Sequence, residues 1–294
     1  MMRSKVFLKN SAKLGLNICV FIFACLGCST SFAPTYSKSE VEKAIPRILN
    51  AEYKEDVAVK LAGSTLWIYL PLEDIFEKAE KPEKFLEKFS IEQNSVKFRG
   101  DQLRSNYLIK TVPEKEKIQE YIFSKKAQEK ISNAIQVLRR VILSMHRKER
   151  DEMKFFILVA ADIKNGLELT ETIYSQDLIK VTYGFISPDE YRHRVSINSE
   201  MNLSAVADKA GRHLEYKDMT LREFISRQIV HRITLKFQKP EVEQNADVDK
   251  EVARIISETL NIYRVRNVSG AWLDNLFTRH QVVLGHSQIY NNRN

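Results

Sequence analysis

The sequence of 294 residues predicts an α+β fold, in which amphipathic helices pack on a mixed or antiparallel sheet built from β-hairpins. Three observations lead there. Two pairs of apolar runs are joined by turn signals, Gly63-Ser64 and Asn165-Gly166. Helical stripes with recognisable caps stand before, between and after those pairs. One apolar run, Phe155-Phe156-Ile157-Leu158-Val159-Ala160-Ala161, has the length of a strand and no polar break, as expected for a strand buried on both faces.

Taken in order, Val41, Ala44, Ile45, Ile48 and Leu49 recur at helical spacing, with Ser39 as cap and Pro46 inside the pattern, so this helix is kinked or starts late. Residues 57–62 and 65–70 then form a hairpin across Gly63-Ser64, with Pro71 ending its second strand. A short helix is predicted over Pro82 to Phe89. Thr111-Val112-Pro113-Glu114 has the spacing of a capping box with a first-turn proline, and the stripe Ile118, Ile122, Ile131, Ala134, Ile135, Leu138, Val141, Ile142, Met145 carries one or two helices to Lys148. The strand at 155–161 turns at Asn165-Gly166 and returns over Leu167 to Tyr174. Helix followed by hairpin thus occurs twice, which suggests a remote αββ duplication.

Three further helices are placed by their caps. Ser187-Pro188-Asp189-Glu190 opens one, Thr220-Leu221-Arg222-Glu223 a second with Phe224, Ile225, Ile229 and Ile233 inward, and Asp247 a third with Val248, Val252, Ile255, Ile256 and Leu260 on one stripe. Glu241 to Asp249 reads as a polar loop, and Tyr263 to Val283, with a turn at Ser269-Gly270, as a last hairpin.

The formal charge of +8 does not indicate a nucleic-acid partner. Four of the basic residues, Arg3, Lys5, Lys9 and Lys13, fall within the first 27 positions, which hold no acid; without that segment 42 basic residues face 38 acidic ones. The remaining charges alternate in sign, as in Glu114-Lys115-Glu116-Lys117, and such runs are solvated faces.

The N-terminus is more informative. After the four basic residues comes an apolar run from Leu14 to Gly27, too short to cross a bilayer but sufficient for an export signal. It ends in Leu26-Gly27-Cys28, followed by the polar stretch Ser29 to Ser37. Leu26-Gly27-Cys28 resembles the lipobox of bacterial lipoproteins, with Cys25 in the place of the usual leucine. The resemblance covers the first 28 residues and implies cleavage before Cys28, acylation of its thiol, and anchorage in the bacterial cell envelope, with Ser29 pointing to the outer membrane. Residues 1–27 would then be the signal peptide, 28–38 the lipidated cysteine and tether, and 39–294 the mature α+β region, one compact domain or two closely packed ones dividing near residue 185. Because all three cysteines (Cys19, Cys25, Cys28) lie in this segment, the mature region has no disulfides.

Catalytic signatures are scarce. Beyond the first 28 residues no glycine-rich phosphate loop, HExxH, CxxC or GxSxG occurs, so the sequence points to no cofactor or metal. A polar cluster remains: Asp189, Glu190, Arg192, His193 and Arg194, then Asp208, His213, Glu215 and Asp218. If Asp189, Glu190, His193 and His213 converged, they could serve as general acids and bases of a membrane-tethered hydrolase acting on cell-wall or glycan material. Capped helix ends with solvated charges are the commoner arrangement, and His231 reads as a boundary residue of an amphipathic helix. Trp67 and Tyr69 share one strand face, read as lying under a helix, with an aromatic surface for glycan or partner as the alternative. The sequence therefore favours a non-catalytic binding or assembly role, with membrane lipid held through the Cys28 acyl chains and an envelope protein or glycan as partner.

Overall fold

The computed structural model describes residues 35–239 and 241–291; residues 1–34, with the predicted signal, Cys28 and most of the tether, lie outside that range. Alternate residues of one strand organise the rest. Along β5 (Phe155–Asp162) every residue is buried. Phe155, Ile157, Val159 and Ala161 enter one core, and Phe156 and Leu158 enter another. A strand at the centre of a sheet covered on both faces requires this pattern.

β5 lies third in the five-stranded sheet 1, ordered β1-β2-β5-β6-β7, where β1 is Ala58–Ala62, β2 Thr65–Leu72, β6 Leu167–Tyr174 and β7 Ser196–Met201. Neighbours are antiparallel except β2 and β5, which run parallel. Both predicted hairpins form. Gly63 takes φ +61° at the first turn, and Asp218 braces that turn by accepting from the Ser64 N–H and hydroxyl and from Thr65 Oγ1. Pro71 does not end β2 but pairs with Ala161. β1 reaches only as far as Tyr69, so at Pro71 one side of the strand is open and the missing N–H costs no ladder bond.

Two helices cover one face of sheet 1. α1 (Val41–Tyr53) follows a 3-10 turn closed by Ser37 and Glu40 rather than by Ser39, retains Pro46, and buries Val41, Ala44, Ile45 and Leu49. α2 (Lys125–Leu143) buries Ala127, Ile131, Ala134, Leu138 and Ile142. With Leu66, Ile68, Phe156 and Leu158 they close the first core. Helix and hairpin do occur twice, but β1 runs opposite to β5 while β2 and β6 lie on the same side of them in the sheet order. With both helices on one face, no rotation superposes the two units, and the recurrence is one of pattern.

The largest departure from expectation is the excursion between β2 and α2. The helix predicted at Pro82–Phe89, and the helical start predicted at Thr111, are instead parts of a long antiparallel ribbon, β3 (Phe76–Arg99) against β4 (Gln102–Phe123). The Glu and Lys residues that favour a helix locally form cross-strand pairs here: Lys84–Glu116 and Glu87–Lys117 at 2.5 Å, Glu92–Lys110 at 2.7 Å. The helix begins only at Ser124, whose hydroxyl accepts from the Ala127 N–H. Three register shifts bend the ribbon. Its far end joins sheet 2, ordered β3-β4-β8-β9, with β8 at Gly270–Asn275 and β9 at His280–Gly285. The last hairpin is thus present, but its turn lies at 276–279, and Ser269-Gly270 leads into β8.

Between the sheets lie α6 (Leu221–Gln238) and α7 (Val248–Ile262), which follow α3 (Arg147–Glu152), α4 (Ser175–Thr182) and α5 (Pro188–Arg194); α8 (His286–Asn291) ends the described chain. α6 opens with the predicted Thr220/Glu223 capping box. Its buried positions, from Phe224 to Phe237, span about two-thirds of its circumference at 3.6 residues per turn, because it is packed on two sides. Phe224 meets Phe155 of sheet 1 at 5.3 Å and Phe237 meets Phe89 of the ribbon at 5.2 Å. The layers run helices, sheet 1, helices, sheet 2. From Tyr36 onward they form one compact unit.

Candidate functional site

Toward the β7 edge the inner face of sheet 1 changes character. Apolar Val159 gives way to Glu168, Thr170 and Thr172 on β6 and to Ser196, Asn198 and Glu200 on β7. α6 faces them with Ser226, Arg227, Val230, His231 and Thr234, and the ribbon closes one end with Asn94 to Val96. The result is an open cleft of about 820 Å³, within the range that accommodates small ligands. Trp67 stands on its border, held by a hydrogen bond from Nε1 to the Lys217 carbonyl (2.9 Å) and by an edge contact with Tyr216 (5.8 Å).

The ionisable groups of this cleft are mostly committed to the fold. His231 is buried, and its Nδ1 accepts from the Ile197 N–H at 3.4 Å, tying α6 to β7. Burial, with smaller contributions from Arg232 and His193, lowers its pKa, so the ring is neutral at physiological pH. Asn94 donates to the Val230 carbonyl (2.9 Å) and to Thr234 Oγ1 (3.2 Å), leaving its own carbonyl oxygen buried and unpartnered. Arg227 and Glu200 line the cleft as exposed residues.

Glu168 belongs to a second arrangement that flanks the cleft. Its Oε1 lies 2.6 Å from His213 Nε2, while Asp208 Oδ2 lies 2.6 Å from His213 Nδ1, so the imidazole is held at both nitrogens. Asp208 also accepts from the Ala210 and His213 N–H groups, and Glu168 Oε2 from the Asn202 amide. Tyr69 packs edge-on against the ring and donates its hydroxyl to the Asp208 carbonyl at 2.6 Å. Burial opposes the imidazolium, but the hydrogen bonds to Asp208 and Glu168 outweigh it and raise the His213 pKa. For Asp208, burial raises the pKa, but the bonds from His213 and the two backbone N–H groups prevail and hold it at about 2. The group sets one imidazole, its pKa raised, between two acidic side chains. Neither ring nitrogen is available to a substrate, and the whole clamps the 202–213 loop to β6.

The predicted polar residues divide accordingly. Asp189, Glu190 and His193 share α5: Ser187 caps it through the Glu190 N–H, Arg192 pairs with Asp189, Arg194 pairs with Glu190 at 2.8 Å, and His193 Nδ1 meets the Asp189 carbonyl. His213 has none of them as a partner. Asp218 braces the first hairpin, and Glu215 pairs with Lys217 at 2.6 Å. Tyr69 and Trp67 lie under the 208–217 loop rather than under a helix. Glu168, Thr170 and Thr172 were not singled out from sequence. Their signal was present, since they alternate along one strand as a polar face pointing into the protein.

Among the described residues no group of three or more His, Cys, Asp or Glu side chains could hold a metal ion, and no helix is long and apolar enough to cross a membrane. No protein-family model matches the chain, and no curated protein or solved structure is significantly similar to it.

Proposed function

We propose that this chain is a bacterial envelope lipoprotein, anchored through acyl chains on Cys28, whose cleft between sheet 1 and α6 binds an envelope component without transforming it. The observation that carries the binding role is the chemistry of the cleft. Hydroxyls and amides (Thr170, Asn198, Ser199, Ser226) line it beside one indole, Trp67, with Arg227 and Glu200 also exposed to it, while Glu168, His231 and Thr234 are already engaged. Such a surface offers many neutral donors and acceptors and an apolar ring face, which suits a hydroxyl-rich glycan segment. Hydrolysis of such material is the weaker reading, because His213 is spent between Asp208 and Glu168 and a general base must reach the proton it removes.

Two measurements test the two halves of this reading. Intact mass with membrane fractionation compares wild type with Cys28→Ala: loss of residues 1–27, a gain of acyl mass and membrane association, all absent from the variant, support anchorage, and an unmodified chain refutes it. Soluble cell-wall glycan fragments are then titrated against the protein in a Trp272→Phe background, in which emission reports Trp67 alone. Saturable change that Asn198→Leu abolishes, with fragment masses unchanged after incubation, supports binding; no saturation refutes it, and cleaved fragments would establish the hydrolase instead.

A further inference from the structure

The outer face of sheet 2 carries an unusual charge arrangement. Lys97 on β3 and Arg104 on β4 are directly opposite one another, and Arg99 follows Lys97 on the same face. Like charges set across a ladder repel. All three side chains are exposed, and none has a hydrogen bond or ion pair among the described residues that would offset this. One acid, Asp274, shares the depression between them and accepts from Gln281 Nε2 at 2.5 Å, so the three cations outnumber the acid there. In register with Arg104 on β8 stands Trp272. A Cβ at Gly270 would lie 3.2 Å from the Trp272 ring carbons, so the glycine leaves room for the indole to lie along the sheet. Val283, opposite Trp272 on β9, is half exposed. The reverse face of these strands, Val96, Leu103, Tyr107, Ala271 and Leu273, is core, which leaves the cationic face to the outside.

We propose that this face docks on a layer of anionic lipid head groups. Exposed, unpaired cations spread over two neighbouring strands, beside a partly exposed indole, match a plane of phosphates by charge. The indole and the exposed valine supply the amphipathic and apolar contacts found at membrane interfaces. This inference rests on the reading that the protein lives at an envelope membrane, but it does not require the Cys28 acyl chains.

The test uses a chain beginning at Ser29, which keeps every described residue of both hydrophobic cores, and so separates the surface from the anchor. Sedimentation with phosphatidylcholine vesicles is compared with sedimentation with an equimolar phosphatidylcholine and phosphatidylglycerol mixture. Binding is expected only to the anionic vesicles and is expected to weaken with salt. Each cation near such a surface is worth about fivefold in affinity, so Lys97→Ala with Arg104→Ala should weaken binding about 25-fold, while Lys125→Ala with Lys126→Ala, which removes equal charge from exposed positions on α2, should leave it unchanged. In a Trp67→Phe background the emission of Trp272 should shift to the blue on anionic vesicles. Equal binding to neutral vesicles, indifference to the Lys97 and Arg104 changes, or tighter binding to a soluble polyanion such as dextran sulfate than to the vesicles would each overturn the proposal. An unmodified Cys28 in the full chain, together with anionic-vesicle binding by the chain beginning at Ser29, would overturn the anchor and leave this surface standing.

Discussion

Replacing His213 by alanine removes the one imidazole shared by Glu168 and Asp208 and leaves two carboxylates facing each other. Their side chains are only 3% and 11% exposed, so neither regains full hydration. Breaking a buried pair in this way costs about 3–5 kcal/mol, against a total of about 5–15 kcal/mol for a domain. In a chain of this size the melting temperature should fall by about 6–10 °C. The sign of the pH dependence follows from the raised His213 pKa. A group whose folded pKa lies above its unfolded value contributes stability that is complete below the unfolded pKa and is lost as pH rises through the folded one. The wild-type advantage over His213→Ala should therefore be largest near pH 6 and shrink in alkali. Adding Glu168→Gln and Asp208→Asn to the alanine variant should recover much of the loss. Urea denaturation of wild type and variants between pH 5 and 9 measures this. A deficit under about 1 kcal/mol that does not vary with pH would refute the clamp.

Two further outcomes follow from the geometry. Burial pushes the carboxyl of half-buried Glu171, on the opposite face of β6, up to about 7; its neutral form suits the fold, stability falls as pH rises through that value, and Glu171→Gln should gain about 1–3 kcal/mol at pH 8 and nothing at pH 4 by denaturant melts, with an equal gain at both pH values refuting the assignment. Gly63→Ala should cost about 1–3 kcal/mol, because the residue has φ +61° and its new methyl would collide with the Asp218 carboxylate; a neutral substitution would show that Asp218 does not brace the turn.

Sheet 1 was legible because its signals are local. A two-residue turn between apolar runs states a hairpin, and an unbroken apolar run states a doubly covered strand, as Gly63-Ser64 and Phe155–Ala161 show. The ribbon was not legible, because over much of its length both faces meet water and period-two burial does not develop. Its Glu and Lys residues score as helix formers, and only their partners across the ladder reveal their role. α6 was placed correctly by its cap, but its wide apolar circumference reflects two neighbouring layers that no local window contains. The site suffers most from distance along the chain: Glu168 and His213 are 45 residues apart, and nothing in either segment names the other.

The ribbon leaves sheet 1 and returns to it at a single point, since the Ser124 N–H donates to the Ile75 carbonyl at 2.8 Å. Topologically it is a branch rather than a stretch of road. Once the hairpin has zipped, the parallel pairing of β2 with β5 no longer has to close a loop of about 80 residues but one of about 30, which lowers the entropic cost by about 0.8 kcal/mol. The same pinch means that the branch could be cut at its base and bridged by a short turn while β2 and β5 still meet. What would be lost is sheet 2, for β4 is the strand on which β8 aligns. The protein is thus a trunk, sheet 1 with α1 and α2, bearing one limb against which the last third of the chain is built.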